Sequence, residues 1–305
     1  MTKKVYGGQA VMEGVMFTDS NKMVTAIRRN DHSIDYFELD RVQKKWVKSL
    51  KKIPVIRGFF ALIESSMYGM KHMDFASSRY DVDPKDDHTI KQSNNSLTTI
   101  VFTTVLITII SLFIGKGLFT VVPALVADWF EFIVPNHIGQ VILETLIKLL
   151  FLIIYLFGLS LIPDIRRLFQ YHGAEHKVIN CYEQNLPLTI SNVQQSSRLH
   201  YRCGSSFILF TVFIGFIVFL FVPTDPLWLR IVYRIILIPL IIGLSFELLQ
   251  LTNAVRNIKL LSWLGYPGLW VQLLTTKQPN DEQVEVAIHS FNYLLTKSEM
   301  TKQQL

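Results

Sequence analysis

Two histidines and a glutamate, spaced His172-x-x-Glu175-His176, are the residues of this 305-residue chain whose types and spacing point most directly to chemistry. On a helix, positions four apart share a face one turn apart, so both imidazoles reach one metal ion. Glu175 follows His172 by three residues and lies near enough to that face to act as general base toward water at the ion. The same spelling occurs in the inverted zinc peptidases. Zinc or another divalent metal is the expected cofactor, with His172 and His176 as ligands and Glu175 as the catalytic residue. Gly173 weakens a helix by about 1 kcal/mol, so a helix that begins at Gly173 is the alternative. The opposing reading is a polar helix face on which the histidines only make hydrogen bonds.

Catalytic zinc usually takes three protein ligands and keeps one position open. Glu247 is the favoured third ligand. It sits near the end of an apolar run that reaches the same level as the motif, and a carboxylate at that depth needs a partner. His200 and Cys203, in His200-Tyr-Arg-Cys-Gly-Ser-Ser206, are the next choice. Both of them together would close the site and make it structural. Glu183, seven residues after His176, is a further option. With a cytoplasmic middle loop, Cys181 and Cys203 face a reducing compartment, so no disulfide is expected.

The elements that must hold these residues are apolar. Charged residues are 18% of the chain, against about 25% in soluble domains. Residues 1–96 carry 16 of the 30 Lys and Arg, while 97–250 are mostly Ile, Leu, Val and Phe. This composition argues against a single soluble domain, and against a disordered or disulfide-rich secreted chain. The net charge of +6 is spread without a block of like charges, so no nucleic-acid partner is expected.

Four apolar runs approach the roughly 20 residues that cross a bilayer: from Leu97 toward Pro123, Val141 to Ile162, Phe207 to Val222, and Leu229 to about Leu251. The stretches 123–140 and 223–228 have no Lys or Arg, whereas 163–205 has five. The positive-inside rule then places both termini and the middle loop in the cytoplasm. No signal peptide pattern opens the chain. Arg230 and Arg234 fit this less well and are expected to snorkel to the outer headgroups. Glu144 and Lys148 form a self-neutralising pair four residues apart, and Lys116 is expected to snorkel.

The fold class expected is an α-helical integral membrane protein with four transmembrane helices and a small α+β cytoplasmic part. Residues 1–96 form an N-terminal segment, 97–162 the first two spans, 163–205 the loop with the motif, 206–251 the last two spans, and 252–305 a tail. Within the first segment, 22–29 and 33–39 read as a hairpin, and the glycines at 7, 8 and 14 read as bulges or close approaches. Residues 42–52 read as a basic helical stretch, 56–70 as a short interfacial or re-entrant helix, and 81–96 as a linker. Asn280 and Gln283 read as the start of a capped terminal helix.

Longer motifs carry a family resemblance. They are Gly7-Gly-Gln-Ala-Val-Met-Glu-Gly-Val-Met16, Arg57-Gly58, Tyr171-His-Gly-Ala-Glu-His-Lys177, Arg202-Cys-Gly-Ser-Ser-Phe207, Pro267-Gly-Leu-Trp-Val-Gln272 and the stretch 275–287. With these the chain resembles the YqhQ-like bacterial membrane proteins, the domain of unknown function 1385, over essentially its whole length. The resemblance implies a bacterial plasma-membrane protein of a family labelled as predicted metal-dependent enzymes, with no established substrate. The family often has His-Pro-Arg-Cys-Gly where this chain has His200-Tyr-Arg-Cys-Gly204, which leaves both candidate ligands in place. The function expected is a metal-dependent hydrolase at the cytoplasmic membrane surface, with a protein or peptide substrate and the lipid bilayer as partner. The rival is a non-enzymatic scaffold, channel or transporter in which the His–Glu cluster is structural.

Overall fold

The computed structural model describes residues 5–41, 45–89 and 97–303. Four strands open the chain: β1 (Gly7–Val11), β2 (Gly14–Thr18), β3 (Lys22–Arg28) and β4 (Ile34–Asp40). Eleven α-helices follow among the described residues: α1 (Lys45–Leu50), α2 (Ile56–Arg79), α3 (Leu97–Trp129), α4 (His137–Leu161), α5 (Pro163–Glu183), α6 (Ile190–Gln195), α7 (Gly204–Phe219), α8 (Leu227–Ile236), α9 (Ile238–Ala254), α10 (Tyr266–Thr275) and α11 (Asp281–Gln303). Residues 42–44 and 90–96, which the sequence assigns to a basic helix and a linker, lie outside the described residues.

The strands form one antiparallel meander in the order β1-β2-β3-β4. The glycines at 7, 8 and 14 belong to a hairpin rather than to bulges: Val11 pairs with Gly14 and Gly7 with Thr18 around a two-residue turn, Met12-Glu13. Glu13 takes the positive φ, 53°, that such a tight turn demands. The two inner strands, β2 and β3, are buried over most of their length because both sheet faces are covered. On one face Tyr6, Phe17 and Val24 pack with Tyr171 and Val178 of α5 and with Val284 and Phe291 of α11. On the other, Val11 and Ile27 meet Ala76 of α2. Phe291 stands edge-on to Tyr6, Phe17 and Tyr182, with ring centroids 5.0–5.1 Å apart. Truncating it to Ala would cost about 3–5 kcal/mol. A reciprocal capping box starts α11: Gln283 N–H donates to Asn280 Oδ1 at 2.9 Å, and Asn280 N–H donates to Gln283 Oε1 at 3.0 Å.

α2 is longer than the interfacial segment expected over 56–70. Its polar second half stays helical because Met73 and Ala76 pack against the sheet. Its first half leans on α9, where a β-carbon on Gly58 would meet Phe246 at 2.5 Å.

Among the described residues, α4 is long and apolar enough to cross a membrane. α8 and α9 would make a second span if that pair, bent by 51°, is one broken span. Gly117–Trp129 and α7 are shorter apolar helices. The break between α8 and α9 falls at Leu237, two residues before Pro239 in the first turn of α9, which cannot donate the helical hydrogen bond back across it. These helices do not by themselves show the four spans expected.

One expectation about charge is corrected, and the Glu144–Lys148 pair is present but not isolated. Arg230 and Arg234 do not reach outward; they are buried and bond to Glu144 at 3.0 and 2.8 Å. Glu144 is consequently shared among cations, with Lys148 more distant at 3.7 Å. The side chain of Lys116 lies outside the described set.

Candidate metal centre

The motif lies on α5. Proline at the first turn suits a helix start, because its missing N–H has no intrahelical acceptor there. The helix runs unbroken through Gly173. Gly173 is needed for another reason: a β-carbon there would lie 2.1 Å from the carbonyl oxygen of Lys277. The strand-like segment after α10 crosses α5 at this point, and Lys277 N–H donates to Phe169 O at 2.8 Å.

That crossing orients the first histidine. His172 Nδ1–H donates to Thr275 O at 2.8 Å. One turn on, His176 Nδ1–H donates to Arg198 O at 2.7 Å. With each Nδ1 engaged by a backbone carbonyl, each Nε2 is the atom left to face the interior. This is the outer-sphere arrangement that fixes the tautomer of a metal-ligating histidine. The rings lie 4.5 Å apart, edge to face.

Cys203 completes the group. It caps α7, its Sγ accepting from Ser205 N–H at 3.4 Å, and lies 3.2 Å from His172 Nε2. The ligand atoms of His172, His176 and Cys203 all fall within 4.8 Å of one another. In a tetrahedral zinc site, with bonds near 2.0–2.3 Å, ligand atoms stand roughly 3.3–3.7 Å apart. The donor set and its carbonyl-anchored histidines therefore fit a zinc-like ion with one position free, the ligand atoms drawing in by up to about 1 Å around it.

The electrostatics agree. Burial pushes the Cys203 thiol up, but the His172 and His176 imidazoles outweigh it and hold the thiol well below its ordinary range. Burial pulls His172 down, yet the Cys203 thiolate outweighs that and lifts it to about 9. Without a cation, a proton is held between the two, and an ion would displace it.

Glu175 is buried, 5% exposed, beside these three. Burial raises its pKa, and the two imidazoles partly oppose the rise. Its carboxyl abuts β1. A β-carbon on Gly8 would lie 2.7 Å from its Cγ and 2.8 Å from its Oε1. A cavity of about 520 Å³ opens onto His172, Glu175, His176 and Cys203, bounded by Gly7–Ala10 of β1 and by Ser65 and Ser66 of α2.

The other sequence candidates lie apart. Glu247, the favoured third ligand, is corrected: its Oε1 accepts from Arg57 Nε at 2.7 Å and from Val55 N–H at 2.9 Å. The partner its depth demands is thus a guanidinium on α2 rather than a metal. His200 is outside the group of three but lines the same cavity, buried beside His176 with ring centroids 5.7 Å apart and Nε2 3.9 Å from Glu183. Glu183 is engaged by Arg202 and Arg256. The motif chemistry of the sequence does not point to Gln272. Fully buried, it donates to His200 O and Ser206 Oγ and accepts from His200 N–H, each at 2.8 Å. It latches the loop that presents Cys203. Its only signal in the sequence is its place at the end of the 267–272 motif.

Residues 53–297 match the family model described as "Protein of unknown function (DUF1385)". The chain belongs to the DUF1385 family. It is also 54% identical over 300 residues, 98% of this chain and 94% of the relative, to "Uncharacterized protein YqhQ" of Bacillus subtilis (strain 168). No solved structure matches. Neither family description nor relative name carries an activity, so the metal-dependent label that the resemblance implies rests on the site alone.

Proposed function

We propose that the protein is a metal-dependent hydrolase that cleaves peptide bonds at the cytoplasmic surface of the bacterial plasma membrane. The observation that carries this reading is the convergence of His172, His176 and Cys203 in a cavity that also holds a buried Glu175. His172, His176 and Cys203 would hold the ion. A bound divalent ion polarises a carbonyl and acidifies water. Glu175 takes the proton from the attacking water and passes it to the leaving nitrogen. Its burial keeps its affinity for that proton above that of an ordinary carboxylate, which suits a general base.

A peptide substrate is favoured by β1. It is an edge strand, paired only with β2 among the described residues, and Gly7–Ala10 line the cavity. Gly-Gly-Gln-Ala-Val has none of the charges or prolines that normally protect an edge from strand addition. An extended peptide that pairs with β1 would run past Glu175. The membrane setting is supported by the apolar side chains α4 turns outward, including Ile142, Leu146, Ile153, Phe157 and Leu161, together with the four apolar runs and the distribution of basic residues.

A second reading has one specific observation in its favour. The 3.2 Å contact from Cys203 Sγ to His172 Nε2, at a helix N-terminus, also suits a metal-free cysteine nucleophile. The deciding experiment incubates purified full-length protein with a library of unstructured peptides and reads cleavage by mass spectrometry. Metal-dependent hydrolysis predicts loss of cleavage with a chelator, recovery with added zinc, and an inactive Glu175→Gln that still holds metal. Cleavage that ignores chelation and is stopped by a thiol alkylator would favour the nucleophile. Absence of cleavage with a metal-free protein would favour a scaffold or channel.

A further inference from the structure

Helices α3, α4, α7, α8 and α9 enclose a second cavity, of about 160 Å³, remote from the metal centre in the fold. Its polar wall is cationic. Arg234 is fully buried and lines it, as does Lys148. Two nitrogens of the Arg234 guanidinium are used: Nε donates to Glu144 Oε1 at 3.0 Å and Nη2 to Glu144 Oε2 at 2.8 Å. Nη1 is buried and has no hydrogen-bond partner among the described residues. Lys148 Nζ is 3.7 Å from Glu144, too far for a good hydrogen bond. Arg230 also bonds to Glu144, at 3.0 Å, and approaches Asp128 at 3.7 Å.

Among the described residues, three cations, Lys148, Arg230 and Arg234, therefore share two carboxylates, Glu144 and Asp128, and Asp128 reaches only Arg230. One positive charge is left over on the cavity side. The ring of Phe219, 4.0 Å from the Arg234 guanidinium carbon, takes part of that field, but a ring quadrupole carries no net charge. A buried surplus charge with an unused donor is costly unless something completes it. The remaining walls are mostly apolar, among them Phe119, Leu152, Leu156 and Ile241. The volume is close to that of an engineered cavity of about 150 Å³ that admits benzene.

We infer that this cavity binds a carboxylate amphiphile, its headgroup on Arg234 Nη1 and Lys148 and its short acyl tail among the apolar walls. The inference is independent of the metal centre and of hydrolysis.

The test is native mass spectrometry of the full chain purified in detergent, titrated with octanoate and, as an uncharged match, 1-octanol. One octanoate per chain is expected, bound at least about ten-fold more tightly than the alcohol, as loss of a charge-assisted hydrogen bond implies. Lys148→Met leaves both arginine–Glu144 contacts in place and should weaken octanoate binding roughly ten- to hundred-fold. Arg234→Gln should do the same, but it removes a partner of Glu144, so a third variant leaves every charge intact. Among the described residues, a β-carbon at Gly215, on the cavity wall, meets only Phe219 at 3.6 Å and Ile241 at 3.9 Å. Gly215→Leu should therefore fold, fill the tail region and abolish binding. Octanol binding as tightly as octanoate, inorganic phosphate or chloride matching octanoate, or unchanged octanoate affinity in Lys148→Met and Gly215→Leu would each overturn the inference.

Discussion

Gly8 on β1 and Glu175 on α5 are in contact at the limit of packing: a β-carbon at Gly8 would lie 2.7 Å from Glu175 Cγ. The strand edge and the proposed general base are thus set against each other by the absence of a side chain. Gly8→Val should push the carboxyl out of position while leaving His172, His176 and Cys203 where they are. The expected outcome is a loss of peptide cleavage of at least about a hundred-fold, within the range that general-base catalysis contributes, with metal content unchanged by elemental analysis. Loss of metal together with activity would show that β1 shapes the ligand set instead.

Gln272 makes a different prediction. Its amide satisfies both backbone groups of His200 and the hydroxyl of Ser206. Gln272→Leu keeps the volume and leaves the buried His200 N–H unpaired, at a cost of about 1–3 kcal/mol, while His200 O keeps Cys203 N–H and Ser206 Oγ keeps Gly268 O. Denaturant unfolding should report a destabilisation in that range or above, and the displaced Cys203 loop should weaken metal binding.

Glu247 discriminates between two accounts of depth. If it serves Arg57 and Val55, as its hydrogen bonds indicate, Glu247→Gln should leave metal stoichiometry untouched. Glu247→Ala should lower stability by about 1–3 kcal/mol, because it leaves Arg57 and Val55 N–H without their acceptor. A metal-free Glu247→Gln protein would restore it as a ligand.

His72, on the sheet-facing side of α2, sets an acid limit. It is fully buried and 2.7 Å from Thr25 Oγ1. Burial first, then Lys71, lowers its pKa from 6.5 to about 4. Between those values the unfolded chain binds a proton that the folded chain does not, so stability falls as pH drops from about 6.5 to about 4 and levels off below. The contribution lost is on the order of 3 kcal/mol. The double variant Thr25→Val/His72→Leu, which leaves no orphaned partner, should flatten the unfolding free energy over that window. An unchanged pH slope would contradict this assignment.

The parts of the site that the sequence makes legible are those governed by one helix. The spacing of His172 and His176 alone puts them on one face. Cys203 is legible as a ligand type, but that it reaches the pair before His200 depends on the cap of α7 and the Gln272 latch, which are long-range contacts. Glu247 was favoured from depth, a one-dimensional argument that could not see Arg57 approaching from 190 positions earlier in the chain. Likewise Arg230 and Arg234 read as surface snorkellers until Glu144 is found facing them from α4. The glycines at 7 and 8 signalled close approach, yet only the tertiary fold shows that Glu175 is what approaches Gly8. Alternation over 22–40 predicts a β-hairpin, and the structure has β3 and β4 there, whereas the 24 residues of α2 exceed the apolar stretch that marked it because packing on the sheet extends it.

The central claim is that His172, His176 and Cys203 jointly hold one divalent ion. Titration of metal-stripped full-length protein with cobalt(II), followed by absorption spectroscopy, tests it most directly. The account predicts saturation at about one equivalent, a near-ultraviolet thiolate-to-metal charge-transfer band, and ligand-field bands of tetrahedral intensity. Cys203→Ser should abolish the charge-transfer band, His172→Ala and His176→Ala should each weaken binding severely, and Glu175→Gln should bind as the parent does. Cobalt bound without a thiolate band, or bound equally well by all three ligand variants, would contradict it.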